Sequence, residues 1–141
     1  MLSVADLESL PSPFYRVAVK ALVLQDNKLL MVQNSAGAWE VPGGGWEHGE
    51  DLRTCLNREF KEELGVELES VSDVEFVYRS KSEHGWAVLR VAVRAQITST
   101  NFAPSDGMTD ARFFSRAELL ALNVHRSEAG IKDYVDQIWR V

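Results

Sequence analysis

Hydrophobic residues alternate with other residues along the first part of the chain, which is the pattern of a β-strand. Within residues 14–24, four side chains point the same way at a period of two: Val17, Val19, Ala21 and Val23. Turn-forming residues follow at 25–28, and a second apolar run covers residues 29–32. These two runs and their turn predict a β-hairpin.

A central helix is predicted from Leu52 to Leu64, because this segment lacks Pro and Gly and its apolar residues recur at helical spacing. Asp51 precedes it as a candidate N-cap, and Gly65 follows it as a residue that permits a left-handed helix end. A second helix is predicted from the capping box of Ser115 and Glu118 through residue 122.

Further strands are expected at 74–78, 86–97 and 112–114, with a polar loop at 98–109. A last helix is predicted from one apolar stripe: Ile131, Tyr134, Val135, Ile138 and Trp139. The chain thus consists mostly of strands, with one central helix and helical cover at the end. This order indicates an α/β (α+β) protein without internal repeats or linkers.

Length and composition favour one globular domain over residues 1–141, with 45% hydrophobic residues. The net charge of −6 argues against nucleic acid and anionic membranes as partners. Neither an apolar run of about 18 residues nor a basic leader is present, so we expect a cytoplasmic protein. The single cysteine, Cys55, cannot form an intramolecular disulfide.

Three acids of the predicted central helix occupy unusual positions. At about 100° per residue, Glu59 and Glu63 fall inside the apolar half of the helix, and Glu62 lies at its border. Like charges four residues apart destabilise a helix, and burial of an unpaired carboxylate costs more. A Mg²⁺ or Mn²⁺ ion would compensate, because carboxylates at this spacing converge on one point. The alternative is a solvated acidic face paired with Arg58 and Lys61.

The glycines and acids around this helix have the spacing of a known motif. From Gly44 to Val66 the chain reads GGWEHGEDLRTCLNREFKEELGV. This segment resembles the box of the Nudix (MutT-like) hydrolases, with all seven fixed positions at the family's spacing: Gly44, Glu50, Arg58, Glu59, Glu62, Glu63 and Gly65. Phe60 stands where the family usually has Ile, Leu or Val. Segments 39–44 and 112–119 are also similar to the family, so the resemblance covers residues 15–139.

The resemblance implies a fold and an activity. The fold would be an α/β/α sandwich, with a mixed β-sheet between helices and the box forming loop, helix and loop. Nudix enzymes hydrolyse a diphosphate bond in a nucleoside diphosphate derivative with Mg²⁺ or Mn²⁺, which offsets the substrate's charge and activates water. The family pattern implies these metal ligands: Gly43 (through its carbonyl), Glu50, Glu59, Glu62 and Glu63. Arg58 would hold Glu50 or another carboxylate in a bidentate ion pair.

The identity of the general base stays open. Many family members supply it from a glutamate in the loop before the last strand, where this chain has only Asp106 and Asp110. Either could act with a shorter reach, or Glu59 or Glu62 could activate the water. Asp106 followed by glycine is also typical of an ordinary turn. The catalytic candidates are therefore Arg58, Glu59, Glu62 and Asp110.

The substrate is a small-molecule nucleotide by resemblance. A nucleoside triphosphate is our first expectation, because the chain is short and carries no added domain, and a nucleotide sugar such as ADP-ribose is the second. A non-catalytic nucleotide-binding regulator is disfavoured, because every carboxylate of the box is kept. Trp46 and Trp86 could stack on a nucleobase or pack in the core or a dimer interface, since a homodimer is common in the family. The three histidines are scattered and suggest no zinc site.

Most of the acid excess lies in one stretch. Residues 47–69 contain eight acids and three bases, a net charge of −5, whereas the rest of the chain carries −1. Bound divalent cations would offset much of this local charge.

Overall fold

The computed structural model describes residues 1, 3–10, 14–81 and 87–140. The strands in this part of the chain are β1 (Tyr15–Leu22), β2 (Leu24–Gln25), β3 (Lys28–Asn34), β4 (Trp39–Glu40), β5 (Gly43–Gly45), β6 (Leu68–Lys81), β7 (Ala87–Ile97) and β8 (Met108–Phe114). The helices are α1 (Val4–Glu8), α2 (Leu52–Leu64), α3 (Arg116–Ala121) and α4 (Val135–Ile138), and a 3₁₀ helix covers Arg126–Tyr134.

The strands form two sheets, and the chain runs directly from a strand of the first sheet into a strand of the second. The first sheet has the order β5-β1-β7-β6, with β1 parallel to β7 and the other pairs antiparallel. In the second sheet β3 pairs with β2 and β4 along one edge and with β8 along the other, all antiparallel. The chain passes from the first sheet to the second at Val23, between β1 and β2.

Two apolar cores lie on opposite faces of these sheets. The core under α2 joins the predicted inward side chains of β1 to the apolar side of the helix: Val19, Ala21, Val23, Cys55, Leu56, Phe60 and Leu64. The opposite core is covered by α3 and the C-terminal helices: Leu22, Met31, Ala92, Leu119, Ile131 and Ile138. Helices therefore cover both faces, which confirms the expected α/β/α sandwich with a mixed sheet. None of the helices described is long and apolar enough to cross a membrane.

Several boundaries differ from the predicted ones. The predicted last helix is a 3₁₀ helix up to Tyr134 and an α-helix only in α4. Gly130 lies within the 3₁₀ segment, and glycine disfavours the α-helix. The strand predicted at 74–78 is part of the longer β6, and the helix α1 was not predicted. The predicted strand residue Trp86 and the histidine His84 lie outside the described residues.

The glycine strand β5 has a position that the hydrophobic pattern could not reveal. It consists only of glycines and pairs through its backbone with β1, where Val19 is opposite Gly44 and Lys20 is opposite Gly43. This pairing places β5 at the edge of the first sheet, against α2.

Candidate active site

The helix α2 has both of its predicted ends. The Asp51 carboxylate accepts a hydrogen bond from the Thr54 amide at 2.8 Å, and Gly65 has a φ of +68° while its amide donates to the Lys61 carbonyl. The side chains of Cys55 and Phe60 are fully buried. These contacts fix the rotation of α2, so its acids lie where helical spacing predicts them.

Arg58 is the centre of an ion-pair network. Its guanidinium donates to both oxygens of Glu50, at 2.7 Å from Nε and 3.0 Å from Nη2. Nη1 donates to Glu59 at 2.9 Å and lies 3.4 Å from a Glu62 oxygen, and Nη2 donates to the Gly45 carbonyl at 2.9 Å. The bidentate pair with Glu50 is the one expected for a bracing arginine, and hydrogen bonds from Arg58 hold the pKa of Glu50 below its ordinary value.

Glu63 is the buried acid of the helix. Its side chain is 3% exposed, and its Oε2 atom has no hydrogen-bond partner among the described residues. Burial raises the pKa of Glu63 to about 9, the ammonium of Lys20 opposes this shift, and the charges of Glu59 and Glu40 add to it. In the absence of a cation, Glu63 therefore holds a proton at neutral pH.

The glycines of β5 leave room for these acids. A Cβ atom on Gly44 would lie 2.4 Å from the Glu59 Cδ atom, so any larger residue would displace the Glu59 carboxyl from its present position. Gly43 has a φ of +135°, and a Cβ there would lie 2.1 Å from the Val19 carbonyl oxygen. Glycine is therefore required at position 43 for backbone conformation and space, and at position 44 it leaves room for the Glu59 carboxyl.

Behind the glycine strand lies a buried polar cluster that the sequence analysis missed. The Lys20 ammonium donates to the Val41 carbonyl at 3.1 Å and the Gly43 carbonyl at 3.4 Å, and it lies 3.3 Å from Glu128 on the 3₁₀ helix. Glu128 is 1% exposed and also accepts a hydrogen bond from the Tyr78 hydroxyl at 2.7 Å. The cluster ties the C-terminal segment to the backbone that leads into the site.

Comparison of the sequence with known proteins identifies the family to which the chain is similar. The family model described as "NUDIX domain" matches residues 14–135. The chain belongs to the NUDIX family. It is 42% identical over 72 residues to Nudix hydrolase 25 of Arabidopsis thaliana, which covers 48% of this chain and 41% of that protein. It is 28% identical over 124 residues to the ADP-ribose pyrophosphatase of Methanocaldococcus jannaschii, covering 84% of this chain and 72% of that protein.

The fold is likewise that of solved NUDIX structures. The MutT protein of Methanosarcina mazei Go1 superposes with a TM-score of 0.76 at 22% identity, covering 94% of this chain and 97% of that one. At this level of identity the likeness concerns the fold alone.

The predicted NUDIX metal ligands fall into two groups. Glu50, Glu59 and Glu62 are joined through Arg58, whereas Glu63 is buried with one oxygen unpaired. No three acid, histidine or cysteine side chains of the described residues converge as a closed ligand set. The fit to a divalent cation therefore rests on the unpaired Glu63 oxygen and the adjacent Glu59 carboxyl, whereas the Gly43 carbonyl accepts a hydrogen bond from Lys20 at 3.4 Å.

The two aspartates considered as bases lie in different settings. Asp110 is on β8, and its carboxylate pairs with Arg112 at 2.8 Å. Asp106 and Gly107 both have positive φ, with a hydrogen bond from the Met108 amide to the Ser105 carbonyl, so this segment is a tight turn. The turn lies against the C-terminal end of α2, because the Ser105 amide donates to the Glu63 carbonyl at 2.9 Å.

Proposed function

We propose that the protein hydrolyses the diphosphate bond of a nucleoside diphosphate derivative, with Mg²⁺ or Mn²⁺ held by Glu59, Glu63 and the Gly43 carbonyl. The observation that carries this proposal is the buried, unpaired carboxyl oxygen of Glu63 beside Glu59, whose carboxyl lies where Gly44 has no side chain. A buried carboxyl without a partner is costly, and a hard cation is the partner that its oxygen suits.

Each residue of the site would have a separate role in the hydrolysis. The cation, when bound, offsets the charge of the diphosphate and makes the attacking water more acidic. Arg58 holds Glu50, Glu59 and Glu62 in fixed positions through its guanidinium. Glu62 is our candidate for accepting the proton of water, because its side chain is 43% exposed and therefore reachable by solvent. Asp110 stays a second candidate base.

The finer identity of the substrate is also part of the proposal. A relative aligned over 84% of this chain is named ADP-ribose pyrophosphatase, which supports a nucleotide sugar as substrate. A nucleoside triphosphate is the other candidate, and both share the diphosphate group that the acidic site would handle. A homodimer is compatible with either substrate.

The test is a hydrolysis panel of nucleoside triphosphates and nucleotide sugars, with Mg²⁺ and with Mn²⁺. We expect turnover of at least one substrate and a fall in kcat of about 100-fold or more in Glu63→Gln. Glu67→Gln is the matched control, because Glu67 is 64% exposed and pairs only with Lys61 in the described structure. If the protein binds one nucleotide tightly but hydrolyses none of the substrates, the proposed enzymatic function is wrong. That result would support a non-catalytic nucleotide-binding regulator.

A further inference from the structure

A cavity of about 620 Å³ lies between the start of β1 and the turn that leads into α2. The residues that line it include Phe14, Tyr15, Arg16, Trp46, His48 and Glu50. Among the large hydrophobic side chains exposed in the described part of the chain, all of the aromatic ones line this cavity: Phe14, Tyr15 and Trp46. Single exposed apolar residues are ordinary, but exposed aromatics gathered in one concave place indicate a binding site.

Trp46 is exposed and yet held in place. The residue is 38% exposed. Its indole Nε1 nevertheless donates a hydrogen bond to the Glu50 carbonyl at 2.9 Å, and its backbone amide donates to the Val17 carbonyl at 2.9 Å. Tyr15 is fixed similarly, because its hydroxyl accepts a hydrogen bond from Arg79 at 3.1 Å. A rigid aromatic ring binds a planar ligand with little loss of conformational entropy.

The cavity adjoins the acidic site through Glu50. Glu50 lines the cavity and is held by Arg58, which in turn contacts Glu59. Trp46 directly follows β5 and continues its pairing with β1. It is three residues from Gly43, or about 10 Å along an extended strand, which is the scale of a nucleoside monophosphate.

We propose that this cavity receives the nucleobase of the substrate, which stacks on Trp46 while the diphosphate lies over the glycine strand. The inference rests on the proposed function and names the subsite that would bind the aromatic part of the same substrate. Charged residues in the lining of the cavity, Arg16, Glu47 and Glu50, favour this occupant over a second copy of the chain, because the centres of protein interfaces are depleted in charge. A nucleobase has both an aromatic face and polar edges.

Steady-state kinetics of three variants test the stacking. Trp46→Leu removes the ring, and we expect KM for the nucleotide substrate to rise about 10-fold, since stacking of a base on an aromatic ring has this order of effect. Its kcat should change little. Trp46→Phe keeps a ring and should restore KM. Trp139→Leu is the matched control, because that indole also donates to a carbonyl at 2.9 Å, that of Asn27, away from this cavity.

Two outcomes of these kinetics would overturn the inference. One is an unchanged KM in Trp46→Leu. The other is an equal rise of KM for 5-phosphoribosyl 1-diphosphate, a diphosphate without a base, because Trp46 would then act only through the loop that holds Glu50.

A binding measurement without metal separates this inference from the proposed function. In EDTA, AMP should quench the tryptophan fluorescence of the wild type and of Trp139→Leu but not of Trp46→Leu, and ribose 5-phosphate should have no effect. Absence of quenching by AMP and by the other nucleoside monophosphates refutes the base subsite even if hydrolysis occurs. Quenching by a monophosphate supports it even if the panel shows no turnover. A wild-type dimer that Trp46→Leu dissociates, with nucleotide binding unchanged, would assign the cavity to an interface and overturn the inference.

Discussion

Replacement of Glu63 by Gln tests whether the buried carboxyl destabilises the metal-free protein. Burial raises the pKa of Glu63 from 4.5 to about 9. Between these values the native protein holds a proton that the unfolded chain releases, so the free energy of unfolding falls as pH rises. The loss is about 1.4 kcal/mol per pH unit and reaches about 3 kcal/mol at pH 7. Glutamine has no proton to release. The free energy of unfolding of Glu63→Gln should therefore equal that of the wild type below pH 4.5 and exceed it by about 3 kcal/mol at pH 7.

Urea unfolding in EDTA between pH 5 and pH 8, followed by tryptophan fluorescence, measures the difference. At this chain length about 3 kcal/mol corresponds to a rise in Tm of about 10 °C. The control is Glu67→Gln, whose exposed ion pair with Lys61 at 3.2 Å should change stability by about 0.5 kcal/mol at most. The reasoning is refuted if Glu63→Gln is less stable than the wild type at pH 7, or if its advantage does not grow with pH.

Mg²⁺ should reverse the order of stability of the same two proteins. Binding requires the ionised carboxylate, so the wild type releases the Glu63 proton and gains stability in proportion to its occupancy. Glu63→Gln has lost this anionic ligand and should gain less. Calorimetric titration with Mg²⁺ at pH 7, in two buffers of different ionisation enthalpy, detects the proton. Binding without proton release would contradict a protonated Glu63.

Three further predictions follow from other contacts. Gly44→Ala should abolish activity, because its Cβ would lie 2.4 Å from the Glu59 carboxyl, whereas Gly45→Ala, with its nearest contact at 3.7 Å, should keep most of it in the same hydrolysis assay. Burial raises the pKa of the Cys55 thiol to about 11, so a thiol reagent at pH 8 should label it only after unfolding in urea. Lys20→Met leaves Glu128 with Arg90 and Tyr78 as partners but removes the ammonium that donates to two buried carbonyls, so it should lower the free energy of unfolding by about 2 kcal/mol. The reference is Lys132→Met, which loses contacts with two carbonyls of the α3 segment.

The carboxylates of α2 could be placed from the sequence because a helix has a fixed period. Once Leu56 and Phe60 face the core, the spacing of four residues leaves Glu59 and Glu63 no freedom of direction. The structure confirms the gradation that this geometry predicts, with Glu63 buried and Glu62 43% exposed. Arg58 could also be assigned, since the family motif implies that it holds Glu50 or another carboxylate, and the structure pairs it with Glu50 at 2.7 Å.

The buried cluster behind the glycine strand could not be assembled in this way. Lys20 carried one signal, a charged residue within an apolar strand, but nothing in the sequence indicated its partner. Glu128 comes from the other end of the chain, in a 3₁₀ segment that begins before the apolar stripe on which the last helix is predicted. Pairing between such distant residues depends on how helices pack over the sheet, which local patterns do not encode.

Two features reduce the negative charge of residues 47–69 when no metal is bound. A single guanidinium, that of Arg58, contacts the carboxylates of Glu50, Glu59 and Glu62, and it cannot neutralise all of them. Glu63 avoids adding a further charge by keeping its proton. A divalent cation would displace that proton and supply the missing positive charge in one step. Its affinity should therefore rise with pH up to about 9, and Glu63→Gln should remove this dependence while the network around Arg58 stays intact.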